Sequence, residues 1–305
     1  MRPHRFGYAA LIGPPNAGKS TLLNALLGQK LAIVSPKPQT TRNQITGILT
    51  REDAQIVLLD TPGVHKQGGS RLNRRLVEAA WSALHQAQAI VVVLDAALYA
   101  HKPQIMEKDL KLLGPPVERS GLPVIPVLNK TDAVKDKKSL LPVMARLAQM
   151  WPDGQPVPVS ALRGQGLEDL LAVLLEYLPQ GPALFPEDQL STAPMRFLAA
   201  EIIREKLFLA LSQELPYNTA VVVEDWKETQ AGARISAMIY VARASHKGMV
   251  IGKGGQLLKD IGTKARTEIM EMTGQPVHLD LWVKVREGWT EDEGFMAGLD
   301  QEQGV

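Results

Sequence analysis

Residues Gly13-Pro-Pro-Asn-Ala-Gly-Lys-Ser20 have the pattern G-x-x-x-x-G-K-S, which is typical of a phosphate-binding loop. The apolar run 8–12 precedes the loop, and the run 21–27 that follows has the composition of a helix. Between a buried strand and a helix N-terminus, glycines let backbone N–H groups face an oxyanion, and the helix dipole adds positive potential. We therefore predict a nucleotide site here rather than a Gly-rich turn with a surface lysine.

The charged and hydroxyl groups of this loop have separate predicted roles. Lys19 would neutralise the β- and γ-phosphates, and the Ser20 hydroxyl would ligate Mg²⁺, which favours hard oxygen ligands. The residues predicted to contact the nucleotide are Gly13, Pro14, Pro15, Asn16, Ala17, Gly18, Lys19, Ser20 and Thr21.

A second motif, Asn129-Lys130-Thr131-Asp132, follows the apolar run 123–128 and indicates which base is bound. The Asp132 carboxylate can accept hydrogen bonds from the N1–H and 2-amino groups of guanine, whereas adenine lacks this pair of donors. Asn129 can brace the phosphate loop, and the Lys130 stem can cover the ring face. A strand-end turn of ordinary polar residues is the alternative. Ser160 and Ala161 are a weaker predicted contact to the base.

Asp60-Thr61-Pro62-Gly63 ends the apolar run 55–59 and is predicted to contact Mg²⁺ through water at Asp60. The Gly63 N–H would bond the γ-phosphate, and Val64 follows it in the predicted nucleotide site. In the polar loop 35–43, Thr40 and Thr41 are both candidates to cap Mg²⁺, and we favour Thr41. The predicted catalytic residues are therefore Lys19, Thr41, Asp60 and Gly63.

The order of these motifs resembles the translation-factor class of GTPases, and GPPNAGKST, PQTTRNQI, DTPGV and NKTD are more closely similar to the Era family. The resemblance implies a switch that binds GTP or GDP with Mg²⁺ and hydrolyses GTP. Val64 stands where Ras-like proteins carry a water-orienting glutamine. The family that this chain resembles shares the apolar residue, so the attacking water must be positioned otherwise. The Asn16 side-chain oxygen could instead hold K⁺ near the phosphates and supply positive charge there.

Size and composition allow two domains, since the chain has 305 residues and a net charge of only +2. The absence of cysteine excludes disulfides, thiolate zinc sites and cysteine nucleophiles. We find no secretory signal at the N-terminus, and no apolar run approaches the roughly 20 residues of a membrane span. We expect a cytoplasmic protein, in which any membrane contact would be peripheral.

Residues 1–180 alternate apolar runs with amphipathic runs, which predicts an α/β fold with a mostly parallel six-stranded sheet. The runs 44–50 and 55–60 are separated by only four residues, so they should form a hairpin with one antiparallel edge strand. The motifs all follow strands, at the carboxyl ends where open sheets bind ligands. Residues 181–194 are rich in proline and are predicted to be a stiff linker.

Residues 195–287 are predicted to form an α+β domain with the order α-β-β-α-α-β. Between its last two helices, Gly252-Lys-Gly-Gly255 is a G-x-x-G loop, whose backbone can closely approach that of a nucleic acid. Six cations against one acid in 243–266 would attract phosphates. The candidate RNA contacts are Arg243, Lys247, Met249, Ile251, Gly252, Lys253, Gly254, Gly255, Lys259, Lys264 and Arg266. Met249, Ile251 and Ile261 could form an apolar floor or could equally be core.

This loop and its flanks resemble a type II KH domain, which together with the GTPase motifs extends the resemblance to the Era family over residues 5–287. It implies a monomer that assists assembly of the small ribosomal subunit by binding its RNA near the 3′ end. GTP would strengthen that binding, and hydrolysis would promote release. The γ-phosphate of GTP would order loops 35–46 and 61–74. The acidic tail, 288–305, is predicted to be disordered.

Three other functions stay open at this level. A P-loop enzyme that phosphorylates a small molecule would need an acceptor pocket, for which the chain has no motif. A GTPase that modifies transfer RNA or builds membranes would use the second domain for protein docking. A cell-cycle signalling switch at the membrane is the third alternative.

Overall fold

The computed structural model describes residues 4–37, 40–65 and 71–303, the last five of them as backbone. The chain separates into two compact units that divide between Thr192 and Ala193, except that residues 71–72 group with the second unit.

A six-stranded sheet with the order β2-β3-β1-β4-β5-β6 forms the centre of the first unit. The pairing of β2 with β3 is antiparallel, and the four other neighbouring pairs are parallel. The predicted α/β fold with one antiparallel edge strand is confirmed. The strands are β1 (Arg5–Ile12), β2 (Ile45–Arg51), β3 (Ala54–Asp60), β4 (Ala89–Asp95), β5 (Val124–Asn129) and β6 (Val157–Pro158).

Two helices of this unit are difficult to predict from the sequence. The six-residue helix α3 is too short to show a helical period. Helix α4 continues through Pro115 and Pro116, and Val117 in its last turns is fully buried in the core. The helices are α1 (Lys19–Leu27), α2 (Arg71–Ser82), α3 (Ala96–His101), α4 (Pro103–Ser120), α5 (Leu140–Met150) and α6 (Leu167–Tyr177).

Most of the predicted linker packs along the first unit. The buried side chain of Gln55 accepts hydrogen bonds from the backbone N–H groups of Leu184 and Phe185, and its amide donates to the Phe185 carbonyl. Further along, Ile48 N–H donates to the Leu190 carbonyl at 2.8 Å, and the Ser191 hydroxyl donates to the backbone of Thr46. The predicted linker, residues 181–194, is therefore held on the first unit over residues 184–191, because a polar side chain and a strand edge of that unit satisfy its backbone.

The second unit contains a three-stranded sheet with the order β7-β8-β9, antiparallel between β7 and β8 and parallel between β8 and β9. Helices pack on one face, and the alternating apolar residues of β9 point toward them. The predicted α-β-β-α-α-β order is confirmed. The elements are α7 (Met195–Ala210), β7 (Thr219–Thr229), β8 (Gly232–Val241), α8 (Ala244–Ile251), α9 (Gln256–Thr273) and β9 (Val277–Val285).

The acidic tail is ordered where the structure describes it, so the prediction of disorder is wrong there. Helix α10 (Glu293–Gln303) follows a short turn that contains the buried Trp289. The ring of Phe295 stacks edge-on against Tyr240, and the Arg286 guanidinium lies 3.9 Å from the Phe295 ring centroid. Two aromatic residues among the acids, Trp289 and Phe295, therefore pack the segment on its own unit. Residues 304–305 lie outside the described part.

Candidate functional site

Three oxygen-bearing side chains meet beside the phosphate loop. Ser20 Oγ donates to Asp60 Oδ2 at 2.6 Å, and Thr41 Oγ1 lies 2.8 Å from Ser20 Oγ and 3.3 Å from Asp60 Oδ2. They come from the start of α1, the end of β3 and the loop before β2. The cluster is made of hard oxygen donors, which Mg²⁺ prefers.

Asp60 has the electrostatic character of a cation site. Its side chain is fully buried, and among the described residues Oδ1 has no hydrogen-bond partner. Burial raises the pKa of Asp60 to about 6, against the opposite effects of the Ser20 hydroxyl and the Lys19 charge. A buried carboxylate with an unused oxygen is satisfied by a cation, so Ser20, Thr41 and Asp60 fit a Mg²⁺ ion that would offset phosphate charge.

Thr40 points elsewhere, although it adjoins Thr41. Its hydroxyl lies 2.6 Å from Ser35 Oγ and donates to the Lys37 carbonyl at 2.8 Å. The geometry therefore favours Thr41 for the predicted capping of Mg²⁺. Parts of the predicted switch loops, residues 38–39 and 66–70, lie outside the described residues.

The ammonium of Lys19 is held inside the phosphate loop. It donates to the carbonyl oxygens of Gly13 and Pro14 at 3.1 and 3.0 Å. Burial lowers the pKa of Lys19 to about 8, although the charge of Asp60 acts to raise it. A buried cation held by two neutral carbonyl oxygens is poised to exchange them for phosphate oxygens, which carry full charge.

Gly63 lies directly against the phosphate loop. A Cβ at this position would stand 2.7 Å from Pro15 Cα, so a side chain would push the two segments apart. The next residue donates Val64 N–H to the Gly13 carbonyl at 3.0 Å, and its side chain is buried in the core. Val64 therefore has no means of orienting water, as its apolar character predicted.

Asn129 joins three of the predicted segments. Its Nδ2 donates to the Ala17 carbonyl at 2.9 Å, and its Oδ1 accepts from Ala161 N–H at 3.0 Å. The residue thus braces the phosphate loop, as predicted, and also fixes the loop at 160–161. Ser160 Oγ donates to Asp132 Oδ1 at 2.6 Å, which orients the carboxylate that would read guanine.

Lys130 crosses toward the phosphate loop and ends between two oxygen acceptors. Its Nζ donates to the Asn16 carbonyl at 2.5 Å and to Asp95 Oδ2 at 2.7 Å. Thr131 is buried and donates through Oγ1 to the Val159 carbonyl at 3.0 Å. The four-residue motif is therefore fixed to its surroundings before any base is present.

In the second unit, the G-x-x-G loop connects α8 to α9. Gly252 has φ 74° and ψ 177°, a region that L side chains avoid, and a Cβ there would stand 2.7 Å from Leu257 Cβ. Lys253 and Gly254 are exposed at the tip. The loop backbone is thus open to a large partner. Its shape depends on position 252, which only glycine can occupy without strain.

A groove runs from this loop between α9 and β9. Leu258 and Gly262 line it from the helix, and Leu279 and Leu281 line it from the strand, with two of the predicted cations along it. Those cations, Lys259 and Arg266, flank an apolar floor on which bases could lie.

Other predicted contacts lie away from this groove. Lys264 is exposed on α9 but is not among the lining residues, and neither are Met249 and Ile251. Ile261 is 1% exposed and belongs to the core, which settles the alternative left open for it. All the predicted RNA contacts stay predictions, those of the groove included, and so do those of Arg243, Lys247, Met249, Ile251 and Lys253.

Comparisons with known proteins agree with both halves of this arrangement. A family model described as a 50S ribosome-binding GTPase matches residues 8–130, and a KH domain model matches residues 214–290. A protein called GTPase Era from Nitratidesulfovibrio vulgaris is 55% identical over 97% of this chain and 96% of its own length. GTPase Era from Bordetella pertussis is 43% identical over 98% of each chain.

The chain belongs to the Era family of GTPases.

Two solved Era structures have the same fold. A variant of Aquifex aeolicus Era bound to GDP and AlF₄⁻ is 38% identical over 97% of this chain and 98% of that one, with a TM-score of 0.90. Era in complex with MgGDPNP and nucleotides 1506–1542 of 16S ribosomal RNA is also 38% identical over the same shares, with a TM-score of 0.87. The predicted resemblance, and the GTPase activity that it implied, are confirmed at the level of the family.

Some residues of this Era-family site were not found from the sequence. Asp95, which contacts Lys130, ends a run of six apolar residues and has no motif around it. Ile33 and Val34 line the cleft beside the phosphate loop without any polar pattern. Leu279 and Leu281 belong to the alternating apolar face of β9, and that alternation was the available signal for the groove.

Proposed function

We propose that this Era-family protein is a GTP-controlled switch that binds small-subunit ribosomal RNA near its 3′ end and assists maturation of that subunit. Residues 1–180 would bind and hydrolyse GTP, and residues 195–287 would bind RNA. The groove between α9 and β9 supports the proposal most, because it combines an apolar floor with Lys259 and Arg266 below an exposed G-x-x-G loop. The related Era complex with a 16S ribosomal RNA fragment supports the choice of RNA.

The nucleotide state would set the RNA affinity through loops 35–46 and 61–74. Thr41 and Gly63 would be drawn to Mg²⁺ and the γ-phosphate in the GTP form and released after hydrolysis. By thermodynamic linkage, RNA must then favour the GTP form by the same factor. The proposed partner is the small ribosomal subunit, and the proposed form is a cytoplasmic monomer whose contact with a membrane, where it occurs, is peripheral.

RNA binding at one fixed salt concentration tests the proposal. A single-stranded RNA that copies the 3′ end of the small-subunit RNA should bind more tightly with a GTP analogue than with GDP. The Lys19→Ala variant should lose that difference, because it removes the main phosphate contact. Equal affinity with both nucleotides in the wild-type protein would refute the coupling.

A potassium requirement is a finer part of the proposal. Asn16 has φ 62°, and its Nδ2 donates to the Pro36 carbonyl at 3.2 Å, which leaves Oδ1 as the atom that would contact the cation. GTP turnover should be faster in potassium than in sodium, and Asn16→Ala should abolish the difference. Unchanged cation dependence in this variant would remove K⁺ from the mechanism.

Among the described residues, no helix combines the length and the hydrophobicity that crossing a lipid bilayer requires.

A further inference from the structure

Asp95 occupies the carboxyl end of β4, directly beside the guanine motif. In the parallel pairing of β4 with β5, Asp95 is the register partner of Asn129. Its side chain is 16% exposed and points at Lys130, with 2.7 Å between Asp95 Oδ2 and Lys130 Nζ. The strand register therefore delivers a carboxylate to the one lysine of the motif.

Lys130 needs such a partner because its backbone and side chain are both constrained. Its φ of 64° lies in the left-handed region, and its ammonium also donates to the Asn16 carbonyl in the phosphate loop. A lysine side chain is among those that lose the most conformational entropy when they are held in one arrangement. A charged partner at one end and a carbonyl at the other hold it before nucleotide arrives.

We propose that Asp95 is a positioning residue for guanine nucleotides, acting through Lys130. The carboxylate fixes the lysine across the phosphate loop, so that its stem is already placed to cover the guanine ring. This inference rests on the proposed role of the NKTD motif in binding guanine. Because it acts on the base side, the effect should be alike for GTP and GDP.

Asp95 also has a local structural role that must be separated from this one. Its other oxygen, Oδ1, accepts Leu98 N–H at 2.8 Å and caps the N-terminus of α3. Asparagine caps helices about as well as aspartate, but it carries no charge for the lysine. The Asp95→Asn substitution therefore keeps the helix cap and removes the ion pair.

Dissociation of a fluorescent GDP, measured by stopped flow, provides the test. We expect Asp95→Asn to release GDP about tenfold faster than the wild type, as for the loss of a charge-assisted hydrogen bond. Lys130→Met should also accelerate release, and adding Asp95→Asn to Lys130→Met should have no further effect. The matched control is Asp109→Asn, which changes a carboxylate bonded to Tyr99 of α3 and should leave release unchanged.

Two readouts distinguish positioning from a general loss of structure. The ratio of GTP to ITP affinities should stay constant in Asp95→Asn, because Asp132 reads the 2-amino group. Thermal unfolding of the nucleotide-free variant should match that of the wild type. The inference would be overturned if Asp95→Asn accelerated GDP release equally in the wild-type and Lys130→Met backgrounds. It would also be overturned if Asp95→Asn did not accelerate release at all. A wild-type protein that fails to bind GDP would instead refute the guanine site itself.

Discussion

Thr41 Oγ1 lies 2.8 Å from Ser20 Oγ, although 21 positions of chain separate the two residues. The neighbouring Thr40 bonds Ser35 and the Lys37 carbonyl instead. Two adjacent threonines thus have different surroundings, and substitution of each can test which one serves the metal.

We expect Thr41→Ala to lower GTP turnover by about a hundredfold, because it removes an oxygen from the predicted Mg²⁺ site. Thr40→Ala is the matched control and should stay within about twofold of the wild type. Turnover measured across a range of Mg²⁺ concentrations checks this. Equal losses in the two variants would contradict the assignment.

The pKa of Asp60 predicts how the stability of the nucleotide-free protein depends on pH. Burial raises this pKa from 3.8 to about 6, so the folded protein retains a proton that the unfolded chain releases. The contribution of this carboxyl to the free energy of unfolding is therefore full below its unfolded pKa and is lost as the pH rises through about 6.

Asp60→Asn should consequently stabilise the nucleotide-free protein by on the order of 2 kcal/mol near pH 7, with little difference near pH 4. Above about pH 8 the lowered pKa of Lys19 acts in the opposite direction, so measurements belong below that pH. Chemical denaturation at several pH values gives the comparison. A destabilised variant at neutral pH would show that the ionised carboxylate is favourable in the fold.

The conformation of Gly252 predicts that alanine is tolerated much less at this position than at Gly248 of the preceding helix α8. Gly252→Ala should weaken RNA binding at least tenfold and cost about 1–3 kcal/mol of stability, because the residue adopts a strained region and meets Leu257. Gly248→Ala is the control, since a Cβ there would meet no described atom within 4 Å. Filter binding and thermal unfolding of both variants check the prediction, and similar behaviour of the two would contradict it.

Cations that line the groove should differ from one on the same helix that does not. Lys259→Ala and Arg266→Ala should each reduce the slope of log affinity against log salt by about 0.7, the value for one contact to single-stranded nucleic acid. Lys264→Ala should change the slope less, because Lys264 does not line the groove. An equal change in all three variants would show that the charge of the whole helix, rather than the groove, attracts RNA.

Gln55 should control the order of the segment that it holds. Gln55→Leu leaves the backbone groups of residues 184–185 without the amide partners described above, at a cost of about 2–4 kcal/mol. Hydrogen exchange should accelerate in residues 184–191, whereas the exposed Gln86→Leu should leave it unchanged. Undiminished protection in the first variant would show that Leu190 and Ser191 hold the segment alone.

Much of the first unit could be predicted because its strands are continuous apolar runs and its motifs stand at their ends. Ser20 and Asp60 were brought together by that rule alone, since neighbouring strands end at one edge of the sheet. Asp95 could not be assigned a role in the same way, because its partner depends on the register of β4 with β5. The sequence does not encode register in a readable local pattern.

Side-chain direction accounts for the other differences. Ile261 and Leu258 are both apolar residues of α9, yet Ile261 faces the core and Leu258 lines the groove. Their angular positions around the helix axis decide between the two. The order of the tail depends on Phe295, which packs against Trp289 and contacts Tyr240 in a distant part of the chain. Composition alone favoured disorder because the acids outnumber these rings.

The contact of residues 190–191 with β2 has a consequence for solubility. A strand at the rim of a sheet offers unpaired N–H and C=O groups on which another molecule can add a strand and begin to aggregate. Along β2, Ile48 already donates to Leu190, and Gly47 is bridged to Ser191. The segment that leads out of the first unit thereby shields its rim from intermolecular pairing.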